Sequence, residues 1–347
     1  MHDNRANGGS GGAFFVNLAN ALTVDGNSTI SGNRAEGGSG GAIFVWTGIG
    51  SFTVNGGSAI SDNTAKIDGG AIYVYNTVEK LTVDGKSKIS DNRADSGSGG
   101  AIFIRNDVSA IAVTGSCSIS YNTAKTNGGG VYVFGHVGSL QFDGNSTIAG
   151  NRADGGSGGA LYGINITSLA LNGVSVLNNS AGDSGDGQIG NGGFAFVSEI
   201  GSIAIESSHI AGNSAEGSGG AFAVGSSPWS LLSSPGNLSV YNSSFTSNSA
   251  RQGSGGALSI SVISRQNVAF RAGGGAYFAG PHDDTSLNRA PPAAVPGNPT
   301  VWLSGSKFDG NQAQRPPANS TYRRFHGHGG AIFAVGDIAV RLDRFLR

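Results

Sequence analysis

Three aspartates recur along the chain at positions from which they could act in acid–base catalysis. Asp25, Asp84 and Asp143 follow one another at intervals of 59 residues. Hydrolysis of a glycosidic bond needs two carboxyl groups held about 5 to 9.5 Å apart on a rigid framework. The intermediate positions hold Asn55 and Thr114, which cannot supply the second carboxyl group. The spacing therefore gives little support to catalysis.

Aromatic residues recur at one position of each repeat and are candidates for ligand binding. The whole set is Phe15, Phe44, Tyr73, Phe103, Tyr132, Tyr162, Phe196, Phe278 and Phe333. Phe44 lies between the apolar Ile43 and Val45, so alternation along a strand predicts that the ring points away from the core.

An outward column of rings can bind sugars or form an apolar strip for a protein partner. The candidate binding residues are Phe44, Tyr73, Phe103, Tyr132 and Tyr162. Two structural alternatives stay open: the rings only stack on one another, or the alternation is reversed and they belong to the core.

These recurring positions belong to a repeat of 29 or 30 residues. Glycine pairs followed by a small residue begin at Gly11, Gly40, Gly69, Gly99, Gly128 and Gly158. Each repeat holds three short runs with strand-like alternation, separated by Gly, Asn, Asp and Ser, which favour turns. The pattern predicts an all-β fold, a right-handed, single-stranded parallel β-helix similar to that of pectate lyases. We expect about ten rungs, a rung being one turn of the solenoid, with equivalent residues stacked about 4.8 Å apart.

One asparagine also recurs in every repeat. The predicted structural ladder consists of Asn33, Asn63, Asn92, Asn122 and Asn151. Stacked side-chain amides can donate and accept hydrogen bonds from rung to rung, so we expect this column to lie inside a turn. Three residues further on the charge alternates, as in Glu36, Lys66 and Asp95. Opposite charges on neighbouring rungs would pair and help to fix the register.

Composition excludes several classes of protein. The chain of 347 residues has 61 glycines, one cysteine, 21 basic and 22 acidic side chains. A single cysteine excludes a disulfide scaffold and a multi-cysteine metal site. The balanced charge favours no nucleic-acid partner, and no apolar run reaches the ~20 residues of a membrane helix. We expect no cofactor and no bound metal.

The repeats predict a single β-helix domain over residues 1–347. Its regions are regular rungs over 1–180, looser rungs over 181–260, and rungs over 261–347 interrupted by proline-rich loops at 281–299 and 314–325. Proline cannot donate to the hydrogen bonds between rungs, so these loops must leave the stack. The sequence opens and stops inside a rung and shows no signal peptide, which suggests a fragment of a longer repeat protein.

Two tetrapeptides carry a resemblance to a known family. Gly-Gly-Ala-Ile ends at Ile43, Ile72, Ile102 and Ile332. Phe-x-x-Asn ends at Asn248 and Asn311, and Ile replaces Phe in earlier copies such as Ile30 to Asn33. Together they resemble the polymorphic outer-membrane protein repeat of chlamydiae. The resemblance implies a surface-exposed β-helical region acting in adhesion, at the cell surface or outside the cell, with glycans or a protein of a host or neighbouring cell as partners.

The alternative function is that of a β-helical polysaccharide lyase or glycoside hydrolase. Asp283-Asp284 and Gly327-His328-Gly329 are similar to two of the four motifs of β-helical polygalacturonases. The other two motifs are absent, and both matches lie in or beside the proline-rich segments. A non-enzymatic adhesion or scaffold protein is therefore the preferred hypothesis.

Overall fold

The computed structural model describes residues 1–183, 189–225, 237–261, 276–279, 300–304, 306–313, 332–335 and 339–343. Every regular element within these ranges is a β-strand, and the strands form three parallel sheets. The sheets stack as a β-solenoid, which confirms the predicted all-β, parallel β-helix class. Its handedness and its number of rungs stay predictions, as does the single-domain organisation. The predicted loops at 281–299 and 314–325, with Asp283, Asp284, Gly327, His328 and Gly329, lie outside the described residues.

The first sheet consists of ten two-residue strands. They are Arg5–Ala6, Arg34–Ala35, Thr64–Ala65, Arg93–Ala94, Thr123–Ala124, Arg152–Ala153, Ser180–Ala181, Ser214–Ala215, Ser249–Ala250 and Gln312–Ala313. The alanine of a typical pair is buried and the residue before it faces solvent, as in Arg93–Ala94. This sheet adds a short strand to each of these rungs, which the three longer runs of the sequence did not predict.

The second sheet has eighteen strands and contains the aromatic positions. They are Phe14–Val16, Ala19–Val24, Ile43–Val45, Ile49–Val54, Ile72–Val74, Val78–Val83, Ile102–Ile104, Val108–Val113, Val131–Phe142, Leu161–Asn172, Ala195–Glu206, Phe222–Val224, Asn237–Tyr241, Leu258–Ser261, Ala276–Ala279, Thr300–Ser304, Ile332–Val335 and Ala339–Asp343. Early rungs contribute two strands separated by a bend, and three later rungs contribute one strand of twelve residues. The bend therefore lies beside the aromatic column in the first half of the chain.

The third sheet has nine strands of three residues. They are Thr29–Ser31, Ala59–Ser61, Lys88–Ser90, Ser118–Ser120, Thr147–Ala149, Ser175–Leu177, His209–Ala211, Ser244–Thr246 and Lys307–Asp309. The central residue of each strand points inward, so Ile60, Ile89 and Phe245 are fully buried. Phe245 and Phe308 stack there with ring centroids 4.7 Å apart. The apolar residue that begins each Phe-x-x-Asn or Ile-x-x-Asn motif is thus a core residue.

The Gly-Gly pair is required by the backbone at the entrance to the second sheet. The first glycine has a positive φ, +66° at Gly99, a conformation that costs other residues energy. The second glycine lies against the next rung: a Cβ on Gly100 would be 2.1 Å from the carbonyl oxygen of Gly129. Steric constraints therefore explain why both positions of the motif are glycine.

The order of strands departs from the order of the chain after residue 261. Ile332–Val335 pairs with Leu258–Ser261, and Ala276–Ala279 pairs with the opposite edge of Ile332–Val335. In this register Tyr277 is the partner of Phe333. The prediction that Phe278 continues the aromatic column is therefore wrong by one residue, because strand pairing and not the glycine motif sets the register here.

Candidate functional site

Seven aromatic side chains form a continuous stack along the outside of the second sheet. This inner column consists of Phe15, Phe44, Tyr73, Phe103, Tyr132, Tyr162 and Phe196. Neighbouring centroids are 4.8 to 5.2 Å apart, and neighbouring ring planes differ by at most 27°. Phe44, Tyr73, Phe103 and Tyr132 form a cluster separate from the main core. The rings thus lie on the outer side of the sheet.

The middle of the inner column has little accessible surface. Phe44, Tyr73, Phe103 and Tyr132 are only 6 to 9% exposed, and Tyr162 is half-buried. Each ring face is covered by the next ring, so a sugar has no free face to stack on between Phe44 and Tyr132. Phe15, at the first rung, is 61% exposed. This geometry corresponds to the alternative in which the rings stabilise the solenoid by stacking, and ligand binding by these residues stays a prediction.

Burial of the inner column changes the acidity of its phenols. Desolvation raises the pKa of Tyr73, Tyr132 and Tyr162 above the ordinary value of 10.0 for tyrosine. The neighbouring Tyr162 adds to the rise at Tyr132, while a hydrogen bond with Ser198 opposes the rise at Tyr162. The three hydroxyl groups are therefore neutral over a wide pH range, as expected for structural side chains.

A second column of planar side chains lies two residues further along each rung. This outer column consists of Trp46, Tyr75, Arg105 and Phe134. The Trp46 and Tyr75 rings stack at 4.4 Å, and Cζ of Arg105 lies 4.5 Å from the Tyr75 centroid. Trp46 is 45% exposed and Phe134 55%. This column was not predicted from the sequence, although a spacing of two residues along a strand places both columns on the same face.

Arg105 differs from the other arginines whose side chains the structure describes. Those others each have an acidic partner within 4 Å; they are Arg5, Arg34, Arg93, Arg152 and Arg251. Arg105 has no ion pair in the described part of the chain; it lies on Tyr75 and interacts with the Tyr73 hydroxyl. Its charge is exposed and held in place by an aromatic ring.

One acid that interacts electrostatically with Arg105 is Asp68, in the glycine-rich turn. Burial raises the pKa of the Asp68 carboxyl group, although a hydrogen bond from the backbone N–H of Ser98 and the charge of Arg105 oppose the rise. The bond from Ser98 to Oδ1 of Asp68 measures 2.8 Å. Asp68 thus belongs to the hydrogen bonds between rungs and does not form an ion pair with Arg105.

Polar side chains line the bend directly after the outer column. Nδ2 of Asn106 donates to Oδ1 of Asn76 at 3.0 Å, and the Thr47 hydroxyl donates to the carbonyl of Asn17. Asn76 is half-buried and Asn106 is exposed. Nδ2 of Asn76 and Oδ1 of Asn106 have no partner among the described residues, so one donor and one acceptor are available to a ligand beside the planar column.

The asparagine ladder lies buried between the third and the first sheet. Asn33, Asn63, Asn92, Asn122 and Asn151 are at most 1% exposed. Each Nδ2 donates to Oδ1 of the next asparagine at 2.9 to 3.0 Å. From Asn63 onward, Nδ2 also donates to a carbonyl of the preceding rung, such as that of Ile60 for Asn92. These amides connect rungs and are not available for binding.

Most ladder acids pair differently from the expected alternation of charge. Asp95 pairs with Arg93 at 2.7 Å, and Asp154 pairs with Arg152. In each case both partners belong to the same rung and lie on the same side of the strand. Glu36 contacts Arg5 and Arg34. Glu216 and Arg251 do pair between rungs, at 3.4 Å. The expectation that Lys66 pairs with these acids is wrong, because an arginine two residues earlier lies on the same side of the strand.

The recurring aspartates have structural hydrogen-bond partners, a turn glycine for two of them and a strand glutamine for the third. Oδ1 of Asp25 and Oδ1 of Asp84 each accept a hydrogen bond from the backbone N–H of the next glycine, at 2.7 Å. Oδ2 of Asp143 accepts one from Nε2 of Gln141, also at 2.7 Å. In the described ranges, no group of three or more His, Cys, Asp or Glu side chains could hold a metal ion. Nor do these ranges contain a helix long and apolar enough to cross a membrane.

The parallel stack and its repeated outer columns define a β-solenoid repeat protein. Residues 53–75 match the sequence model of the Chlamydia polymorphic membrane protein repeat. The match contains Asn63 and the Gly-Gly-Ala-Ile motif that ends at Ile72, so the resemblance is confirmed over this segment. Neither a curated protein nor a solved structure matches the chain. The repeat and the solenoid together fit a cell-surface repeat protein.

Proposed function

We propose that the chain is a non-enzymatic part of a cell-surface or secreted protein and acts in adhesion or as a binding scaffold. The observation that carries the proposal is the contrast between its interior and its exterior. No buried side-chain nitrogen or oxygen of the described residues lacks a hydrogen-bond partner. Exposed positions beside the inner column, by contrast, vary from rung to rung, as in Trp46, Tyr75, Arg105 and Phe134. A rigid interior with a variable exterior is suited to presenting binding groups.

The recurring aspartates also support a non-catalytic role. Asp25 and Asp84 each have one carboxylate oxygen bonded to a turn glycine, and Asn55 separates them in the stack. Two rungs correspond to about 9.6 Å at the usual strand spacing, at the upper limit for a paired acid and base, and the Asn55 between them supplies no carboxyl group. These residues stabilise turns, and a polysaccharide-cleaving site does not follow from them.

An adhesion assay on the full chain tests the proposal. Beads coated with the folded chain should bind to cultured epithelial cells, and beads coated with the urea-unfolded chain should not. The same preparation is incubated with pectin, alginate and xylan, and reducing ends are measured. Cell binding without release of reducing ends supports the proposal. Cleavage of any of the polysaccharides, or equal binding by folded and unfolded chain, contradicts it.

A further inference from the structure

We infer that the outer column between Trp46 and Arg105 is a binding site for an acidic oligosaccharide, with Arg105 recognising a carboxylate of the sugar. This inference deepens the proposed function by naming the ligand class and the residues of one site.

The charge of Arg105 is available to an anionic ligand. Each of the other arginines with a described side chain has an acidic partner. Arg105 is exposed, lies 4.5 Å from the centroid of Tyr75 and forms no ion pair within the described ranges. A guanidinium group binds a carboxylate through two parallel N–H donors, and such bonds are stronger than those between neutral groups. Stacking on Tyr75 restricts the side chain before binding, which lowers the entropic cost of that contact.

The groups beside Arg105 have the chemistry of a sugar site. Trp46 stacks on Tyr75 at 4.4 Å and is 45% exposed, so its indole offers an apolar surface with a polar N–H. Asn76 and Asn106 add an amide donor and a carbonyl acceptor at the adjoining bend, neither of them bonded to another described residue. Sugar hydroxyl groups both donate and accept hydrogen bonds, and the C–H groups of a sugar ring pack against aromatic surface. The combination fits a saccharide that carries a carboxylate.

The composition and size of this strip argue against a protein partner. The exposed or half-buried side chains from Trp46 to Asp107 on the bends are planar or polar; they are Trp46, Thr47, Tyr75, Asn76, Thr77, Arg105, Asn106 and Asp107. The core of a protein interface is typically apolar, and each partner buries about 800 Å². Three rungs span only about 10 Å along the solenoid. A few sugar units match this length better than a protein surface does.

The neighbouring Asp107 does not neutralise the site. Oδ1 of Asp107 accepts a hydrogen bond from the backbone N–H of His136 at 2.8 Å. Asp107 therefore connects its rung to the next one and forms no ion pair with Arg105. The positive charge of Arg105 remains available at the exposed edge of the column.

The test measures binding of a short oligogalacturonate to the full chain by isothermal titration calorimetry. Its methyl ester, which has the same sugars without the charge, serves as the matched ligand. We expect the ester to bind about tenfold more weakly than the acid, a loss of the size expected for one charge-assisted contact. Added salt should also weaken binding of the acid. A sulfated oligosaccharide is the second comparison. Weaker binding than that of the oligogalacturonate indicates recognition of the carboxylate, whereas equal binding indicates general attraction of anions.

Variants locate the site. Arg105→Gln and Trp46→Ala should each reduce affinity about tenfold, and Arg105→Lys should restore only part of it because the planar donor pair is lost. Arg93→Gln is the matched control, since Arg93 is exposed on the same solenoid but pairs with Asp95. Circular dichroism verifies that each variant is folded. The inference is overturned if no oligogalacturonate binds, if acid and ester bind equally, or if Arg93→Gln and Arg105→Gln have equal effects.

Bead adhesion separates this inference from the proposed function. If wild-type beads adhere and oligogalacturonate neither binds nor competes, the site is wrong while the adhesion role stands. Loss of adhesion in the Arg105→Gln variant without saccharide binding would indicate a protein partner and overturn the inference. If oligogalacturonate binding depends on Arg105 and the beads do not adhere, the site stands and the adhesion role fails.

Discussion

The side chains of Asn92 and Asn122 are joined by a hydrogen bond of 3.0 Å from Nδ2 of the first to Oδ1 of the second. The backbone N–H of Asn92 donates to the same oxygen, also at 3.0 Å. Asn92 Nδ2 also donates to the carbonyl of Ile60. One side chain thus connects three successive rungs inside the solenoid.

Asn92→Ala is expected to destabilise the chain strongly. The change removes the acceptor of the buried backbone N–H of Asn63, one of the two acceptors of Asn63 Nδ2 and one donor to the carbonyl of Ile60, and a buried group left unsatisfied costs about 1 to 3 kcal/mol. We expect a lower urea midpoint in an unfolding experiment followed by circular dichroism. Asn106→Ala, at an exposed position, is the control and should change stability by no more than about 0.5 kcal/mol. Equal midpoints for the two variants would contradict the ladder's role.

Gly100→Ala is expected to prevent correct stacking of its rung. The added Cβ would lie 2.1 Å from the carbonyl oxygen of Gly129 and 2.5 Å from the carbonyl carbon of Thr123, and neither backbone atom can move without disturbing the sheet. Gly9→Ala is the matched control, because a Cβ there has no neighbour within 4 Å. Limited proteolysis should cleave the Gly100 variant much faster than the wild type. Equal resistance of all three proteins would refute the close approach.

Stability is expected to fall as the pH rises above about 10. Burial raises the pKa of Tyr73, Tyr132 and Tyr162 in the folded chain above the value of 10.0 expected after unfolding. Above pH 10 the unfolded chain therefore loses protons that the folded chain retains, and each phenol lowers the free energy of unfolding by up to about 1.4 kcal/mol per pH unit. Below pH 10 this contribution is fully retained.

Tyr132→Phe tests the assignment because it keeps the ring stack and removes one hydroxyl group. The dependence of the urea midpoint on pH should become shallower above pH 10 than in the wild type. Phenolate absorbance of the folded chain should likewise rise at higher pH than that of the unfolded chain. An unchanged slope would mean that Tyr132 ionises normally.

Cys117 is expected to resist thiol reagents until the chain unfolds. Its Sγ accepts a hydrogen bond from the backbone N–H of Ser87 at 3.2 Å, and burial raises the pKa of the thiol. Reaction with Ellman's reagent should be slow in buffer and rapid in urea. Cys117→Ser should keep the stability of the wild type, since Ser58, Ser87 and Ser146 make the same bond in neighbouring rungs. Rapid labelling of the folded chain would contradict this burial.

The repeat period was sufficient to predict the class of fold and which residues share a column. Phe44, Tyr73 and Phe103 pair in register because each occupies the same position between two inward residues of its own rung. The position of Phe278 was not predictable in this way. Its strand pairs with Ile332–Val335, more than fifty residues later in the chain, and the local motif does not specify that partner.

The sequence by itself determined the strand period, the inward and outward alternation and the need for glycine where backbones meet. These properties depend on the residues within one rung. Only the tertiary structure decided that the inner rings are covered while Trp46 and Arg105 remain exposed, and that Arg105 has no ion pair with any acid of the described ranges. Exposure and charge pairing depend on side chains contributed by neighbouring rungs, about thirty residues away in the sequence. The pattern of residues within one rung does not specify the distances between those side chains.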